Sequence, residues 1–114
     1  QDMGVVVNPE GATTQMEGSI TMGLGYALTE EVHFKDGEIT DLNFDTYTLP
    51  AFSWLPKIET VILENPNLAP QGGGEPAIIG MGGVIATAIY DAVGAAVFQL
   101  PMTPARVKAA MKQA

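Results

Sequence analysis

The residue best placed to carry chemistry in this sequence is Glu75, which follows three consecutive glycines and precedes Pro76. Glycines allow the backbone to approach a bulky ligand and to adopt positive φ, and proline suits the first position of a helix. Glu75 would then be the N-cap residue, a position that favours Ser, Thr, Asp and Asn. A glutamate there calls for a role other than capping.

General base catalysis is one such role for Glu75. The dipole of the following helix would stabilise the ionised carboxylate, whereas burial would disfavour it, and a carboxylate held between these effects can serve as a base. The alternative is a solvated glutamate on a flexible turn, and the residues alone leave the two about equal. The glycines could also hold an anion through their backbone N–H groups, but no P-loop Gly-Lys-Ser/Thr follows.

Two further polar residues are weaker site candidates. Gln15 opens the first predicted helix, and its amide both donates and accepts hydrogen bonds, which suits a heterocyclic cofactor; a surface glutamine is the more common case. His33 is the only histidine and lies in a predicted strand without a partner pattern, so we predict an ordinary strand residue. We assign no metal ligands to this chain.

The elements that must position these residues follow the order β-α-ββ-β-α-α. This order predicts an α+β fold, a two-layer domain with an antiparallel or mixed sheet packed against helices. The predicted strands are 4–8, 32–35, 38–40 and 58–63, with the Asp36-Gly37 turn typical of a hairpin. The last two predicted helices run from about Pro76 to Val93 and from Thr103, as cap, through Lys112.

The first helix is predicted to start at Thr13 or Thr14, with Glu17 completing a capping box. Its predicted buried stripe comprises Met16, Ile20, Leu24, Ala27 and Leu28. Its glycines each cost about 1 kcal/mol relative to alanine, so we expect close packing at Gly18, Gly23 and Gly25. The 76–93 helix is apolar nearly all round and is expected to be buried against neighbours outside this chain.

Composition excludes several functions. The 114 residues are 46% hydrophobic and carry a net charge of -8, which argues against nucleic acid or an anionic membrane as partner. Without cysteine the chain cannot hold an iron–sulfur cluster or a thiolate zinc site. We expect no membrane insertion, since no apolar run approaches the length of a membrane span. The opening at Gln1, directly before a predicted strand, leads us to expect a fragment of a longer chain.

Taken in order, several short motifs resemble the C-terminal end of the molybdenum-binding subunit of the xanthine dehydrogenase/aldehyde oxidase family, in its bacterial form. The resemblance covers nearly all 114 residues. The motifs that carry it are Asn8-Pro9, Gln15-Met16-Glu17-Gly18, Gly23-Leu24-Gly25 with Glu30-Glu31, Asn43-Phe44-Asp45-Thr46-Tyr47 with Leu49-Pro50, and Gly74-Glu75-Pro76.

The resemblance implies a molybdenum-dependent oxidoreductase that hydroxylates an aldehyde or an N-heterocycle with oxygen from water. Glu75 matches the catalytic base, Gln15 matches a glutamine near the pterin, and Gly73 and Gly74 approach the same cofactor through their backbone. The cofactor is molybdopterin with molybdenum, with or without an attached nucleotide. The remainder of the molybdenum subunit would complete the site, and iron–sulfur and FAD or haem centres would lie on partner domains or subunits.

We therefore expect residues 1–114 to form a single C-terminal molybdopterin-binding domain, inactive by itself. The rival interpretation is a free-standing small acidic domain for binding or assembly, and a third is a relative that keeps the fold without the activity. After Pro76 the sequence continues Ala77-Ile78-Ile79 instead of the further prolines or bulky residues frequent in the family, which leaves the substrate subgroup open. The compartment is also left open.

Overall fold

A computed structural model describes residues 1–113 of the chain. The elements are α1 (Pro9–Leu28), β1 (Phe34–Lys35), β2 (Glu38–Ile39), a 3-10 turn (Phe52–Trp54), α2 (Pro76–Ile79), α3 (Met81–Val93) and α4 (Pro104–Met111). Helices and one small antiparallel sheet together agree with the predicted α+β class.

Helix α1 begins earlier than predicted. Asn8 is its N-cap, and the Asn8 side chain accepts a hydrogen bond of 2.9 Å from the Gly11 N–H. Pro9 occupies the first helical position, where its missing N–H costs nothing. The predicted cap at Thr13 or Thr14 was wrong, because Asn8-Pro9 supplies a stronger start signal further upstream; the Thr14 hydroxyl instead bonds the Glu10 carbonyl at 3.0 Å.

The packed face of α1 is built from small residues more than from the predicted apolar stripe. Its buried residues are Met16, Ser19, Gly23, Gly25 and Ala27, whereas Leu28 is exposed. A Cβ on Gly23 would lie 2.4 Å from Met81 Cγ, so glycine is required for the contact between α1 and α3. The expected close packing is thus confirmed at Gly23 and Gly25, but a Cβ on Gly18 would meet no described atom within 4 Å.

The predicted strands at 4–8 and 58–63 are reduced to one parallel bridge between Asp2 and Leu63. The N-terminal segment is held by isolated backbone bonds, such as the Val5 N–H to the Leu68 carbonyl at 3.0 Å. Gly4 has φ +71, and a Cβ there would lie 2.3 Å from the Ala69 carbonyl oxygen. The strand prediction was wrong within the described residues because a strand needs paired neighbours along its length.

The predicted hairpin is confirmed. Phe34 pairs with Ile39 and Lys35 with Glu38, and the turn residues Asp36 and Gly37 have φ of 53 and 85, as a two-residue turn of this kind requires. All four strand residues are exposed. Within residues 1–113 this sheet therefore does not form a layer beneath the helices.

The predicted 76–93 helix is divided at Gly80 into α2, of four residues, and α3. α3 ends at Gly94, which adopts φ 70 in the left-handed region that favours glycine at helix C-termini. The third predicted helix is confirmed as α4, with Thr103 as N-cap accepting from the Arg106 N–H and Pro104 in the first turn.

The run Pro76–Val93 also corrects the expectation about apolar segments. Counted through its break, it spans 18 residues with a mean hydropathy of 1.5 and is 6% buried, so length and composition would allow it to cross a membrane. A core helix of a soluble protein has the same composition, and a single run of this kind is weak evidence for a membrane span.

The chain is more open than a self-contained domain of its length. Its radius of gyration is 17.3 Å, against about 13 Å for a compact domain of this size. Its accessible surface is 8152 Å², against roughly 6000 Å² for a folded monomer of its mass. Much of this surface is apolar, as shown by side chains such as Val7, Phe52, Ile79 and Phe98, each at least 79% exposed.

Candidate active site

Glu75 lies at the N-cap of α2, as the sequence predicts. Its carbonyl accepts a bond of 2.9 Å from the Ile78 N–H, which starts the helix, but its side chain makes no capping hydrogen bond. Its backbone is right-handed helical, with φ -111 and ψ -15, and the residue is exposed. The carboxylate therefore remains free to act on a group outside the described chain. The predicted dipole effect is small, since α2 has only four residues.

The glycines before Glu75 form a bare strip of backbone. A Cβ added at Gly72 or Gly74 would meet no described atom within 4 Å, whereas one at Gly73 would lie 3.0 Å from Met3 Sδ. None of these three glycines has positive φ. At Gly72 and Gly74 the glycine thus provides open space where a side chain would project, and not an unusual backbone conformation.

Ser19 joins helix α1 to this strip, although no sequence pattern singled it out. Its hydroxyl donates to the Gly74 carbonyl, and the residue is only 8% exposed. The single available signal was that a small polar residue faces the same side of α1 as Gly23, four positions on. Such a signal does not identify a partner 55 positions away.

Gln15 lies four residues before Ser19, so the two side chains leave α1 on the same face with Cβ atoms about 5–6 Å apart. Gln15 is exposed and lines a shallow surface depression together with Asn8, Glu10, Gly11 and Thr14. The structure thus places Gln15 one helical turn before Ser19, the residue that bonds Gly74.

His33 is not the isolated strand residue that the sequence predicts. Its Nδ1 lies 2.8 Å from Asp41 Oδ2, and its Nε2 lies 3.7 Å from Glu31 Oε2. Glu31 in turn forms a 2.6 Å ion pair with Arg106 of α4. The two partners of His33 are only two and eight positions away, but no sequence pattern marked them; only the pair of Glu31 with Arg106, 75 positions apart, is long-range.

Two carboxyl groups of this cluster have shifted pKa values. The hydrogen bond from Arg106 lowers the pKa of Glu31, and the backbone N–H of His33 lowers the pKa of Asp41. Near them, Tyr47 donates a 2.5 Å hydrogen bond to Glu30, and this bond raises the pKa of the Tyr47 hydroxyl. The cluster fastens the hairpin and α4 to the end of α1. It is a structural network and does not include Glu75.

The residues around Glu75 fit one edge of a pterin cofactor, but not a complete site. The Gln15 amide can pair with the polar edge of a heterocycle, and the bare backbone at Gly72 and Gly74 leaves room for a planar group. The five basic residues of the chain lie elsewhere in the sequence, in the hairpin, at position 57 and in or next to α4. Any phosphate would have to be held by backbone N–H groups or by residues of another segment. Among the described residues no cluster of His, Asp and Glu could hold a metal ion.

The chain is similar to several known proteins. Residues 1–56 match the family model of the molybdopterin cofactor-binding domain. The chain is 34% identical over 110 residues to one subunit of the nicotinate dehydrogenase of Pseudomonas putida, in a match that covers 96% of this chain and 9% of that protein. It is 36% identical over 112 residues to a putative xanthine dehydrogenase molybdenum-binding subunit of Escherichia coli, covering 93% of this chain and 15% of the relative.

The solved structure of quinoline 2-oxidoreductase from Pseudomonas putida superimposes on 98% of this chain and 15% of its own, with a TM-score of 0.84 and 27% identity. The chain therefore belongs to the family of molybdenum-binding subunits that includes those of xanthine dehydrogenases and aldehyde oxidoreductases. It corresponds to 9 to 15% of the length of these relatives.

Proposed function

We propose that this chain is the C-terminal, molybdopterin-binding domain, residues 1–114, of a molybdenum hydroxylase. Glu75 acts there as the general base in the hydroxylation of an aldehyde or an N-heterocycle. For an aldehyde the overall reaction is R–CHO plus water to R–COOH, two protons and two electrons. Glu75 accepts a proton when the new carbon–oxygen bond forms.

The observation that carries this proposal is that a carboxylate without a capping hydrogen bond lies next to backbone that no side chain covers. Glu75 is the N-cap of α2, but its side chain makes no capping hydrogen bond, and Gly72 and Gly74 leave empty space beside it. A solvated surface glutamate would also leave its side chain free, so it is the open backbone at Gly72 and Gly74 beside Glu75 that favours the base. The kinship with molybdenum-binding subunits supplies a ligand class that this space can admit.

Gln15, Gly73 and Gly74 would contact the pterin, Gln15 through its side-chain amide and the glycines through their backbone. The molybdopterin group, with or without an attached nucleotide, supplies the oxidising centre when bound. This chain supplies no ligand to the molybdenum. Its part is to bind one edge of the pterin and to hold the proton acceptor.

The proposed partners follow from what this chain lacks. The remainder of the molybdenum subunit would cover the exposed apolar surface and complete the two-layer arrangement of sheet and helices. Electrons would leave through iron–sulfur centres and FAD or haem on other domains or subunits, since a chain without cysteine houses no such cluster. The chain alone would not turn over substrate.

The test is Glu75→Gln in the intact enzyme. This change keeps the size of the side chain and removes its basicity, so we expect kcat to fall by at least about 100-fold while molybdenum content per subunit is unchanged. Glu59→Gln is the matched control, because among residues 1–113 that exposed carboxylate pairs with Lys57 alone, and it should leave kcat unaltered. A Glu75→Gln enzyme with nearly normal kcat would exclude Glu75 as the base.

A further inference from the structure

Helix α1 holds the segment that carries Glu75 at two points. Ser19 and Tyr26 are seven residues apart, close to two helical turns, and therefore project from the same face of α1. Each uses its side-chain hydroxyl to bond the backbone of segment 74–82, Ser19 at its start and Tyr26 near its end.

The Tyr26 hydroxyl lies at the break between α2 and α3. Its hydroxyl donates to the Ile78 carbonyl at 2.9 Å and accepts from the Gly82 N–H at 3.0 Å. In an unbroken helix these two backbone groups, four residues apart, would bond each other directly. A side chain inserted into this ladder is a recognised cause of a sharp kink. The direction of α2, and with it the position of Glu75 at its N-terminus, therefore depends on the Tyr26 hydroxyl.

Ser19 fixes the other end of the same segment. The Gly74 carbonyl that it binds belongs to the peptide unit whose nitrogen is that of Glu75. Because this unit is planar, a bond to its oxygen also restrains the positions of the Glu75 nitrogen and Cα. Gly74 has no side chain that could hold this peptide unit in place, and a Cβ there would touch no described atom.

Gly23, between the two hydroxyl residues, allows both bonds to form. Its missing side chain lets Met81 and Ile78 lie against α1, since a Cβ would come within 2.4 Å of Met81 Cγ and 3.4 Å of Ile78 Cγ1. The face formed by Ser19, Gly23 and Tyr26 thus brings α1 and the backbone of segment 74–82 to hydrogen-bonding distance.

We propose that Ser19 and Tyr26 are positioning residues for Glu75: their hydroxyls clamp both ends of segment 74–82 and so set where the carboxylate of Glu75 lies. The proposal rests on the proposed function of Glu75 as a base. The clamp itself is a property of the backbone that can be measured without catalysis.

The kinetic test uses Ser19→Ala and Tyr26→Phe in the intact enzyme. Each removes one hydroxyl, and because displacement of a catalytic group by about 1 Å can cost up to 100-fold in rate, we expect kcat to fall roughly tenfold in each. KM and molybdenum content should stay unchanged. In a Glu75→Gln background neither substitution should lower kcat further, because both act through Glu75.

Matched controls remove the same groups elsewhere. Thr87→Val deletes a hydroxyl bonded to the Gly83 carbonyl within α3, and Tyr90→Phe deletes that of an exposed tyrosine of α3. Both should retain the kcat of the parent enzyme. Losses in these controls equal to those in Ser19→Ala and Tyr26→Phe would overturn a specific positioning role.

A structural measurement separates failure of the clamp from failure of the proposed base. In a crystal structure of the Tyr26→Phe enzyme we expect Gly82 N–H to bond Ile78 directly, the helix to run unbroken through Gly80, and the Glu75 carboxylate to shift by about 1 Å. An unmoved Glu75 would overturn the clamp even if Glu75→Gln proves the base. A shifted Glu75 with unchanged kcat would overturn the positioning role. Normal activity of Glu75→Gln would instead refute the proposed base, on which that role rests.

Discussion

At the scale of single residues, the question is why glycine occupies positions 72 to 74 before Glu75. Each of the three glycines has a backbone conformation that other residues can adopt, and two of them have empty space where a side chain would go. Within the described chain, therefore, neither turn geometry nor packing requires Gly72 or Gly74. The space beside them faces outward, which agrees with close approach of a cofactor.

This interpretation predicts different results for two glycine-to-alanine substitutions, one beside Glu75 and one in helix α1. Gly74→Ala should leave the free energy of unfolding of the intact apoenzyme within about 0.5 kcal/mol, because its Cβ meets no described atom, yet should lower molybdenum content per subunit about tenfold. Gly18→Ala, equally unhindered among the described residues but lying in helix α1 and not assigned to the cofactor, is the control and should load normally. Molybdenum is measured by elemental analysis. Full loading of Gly74→Ala would contradict the assignment of Gly74 as a cofactor contact.

At the scale of the elements, local signals were most reliable where a few neighbouring residues specify the structure. The Asp36-Gly37 turn, the Thr103-Pro104 start of α4 and the N-cap position of Glu75 are of this kind. Two errors have different causes. The start of α1 had two competing local signals, and Asn8-Pro9 prevails over Thr14. The break at Gly80 has a local signal in Gly80, Gly82 and Gly83, which weaken a helix, but the hydroxyl that bonds the separated backbone groups belongs to Tyr26, 52 positions before the carbonyl it bonds.

The attachment of α4 to the end of α1 gives a prediction about pH. The hydrogen bond from Arg106 lowers the pKa of Glu31 below its ordinary value of 4.5. A depressed carboxyl pKa contributes stability above the pKa of the unfolded chain, and this contribution is lost as pH falls through the folded value. Protection of α4 against hydrogen exchange in the intact subunit should therefore decline below about pH 4.5.

Glu31→Gln should remove this pH-dependent part. The variant should exchange faster than the parent at about pH 7, and the difference should shrink on acidification below the ordinary Glu31 pKa. Glu59→Gln is again the control, since its pair with Lys57 is highly exposed and surface pairs of this kind contribute little. An equal difference between Glu31→Gln and parent at all pH values would contradict the role of the ion pair.

At the scale of the whole molecule, the open shape and the exposed apolar side chains are explained together. A radius of gyration of 17.3 Å and an exposed α3 are unfavourable for an isolated chain in water, since burying apolar area is the main source of stability. A large exposed apolar surface indicates a contact with another part of a protein. The high structural similarity to a segment of a much longer subunit agrees with that contact lying within one polypeptide.

The isolated chain, residues 1–114, provides the test at this scale. We expect it to bind the dye ANS strongly and to self-associate in gel filtration, because its apolar surface has no cover. The intact subunit, at equal concentration of this segment, should show little ANS fluorescence. A monomeric isolated chain with cooperative unfolding and no ANS binding would instead favour the rival interpretation, a free-standing acidic binding domain.

The sequence by itself determined the local features: the hairpin turn and the helix starts at Glu75 and Thr103. These features depend on residue types and on spacings of a few residues, which the sequence shows directly. Only the tertiary structure decided that Ser19 bonds Gly74, that the Tyr26 hydroxyl lies at the break in the apolar helix, and that Glu31, beside His33, pairs with Arg106. Each of these joins residues far apart in the chain, and a hydrogen bond between distant residues depends on packing that no local pattern encodes.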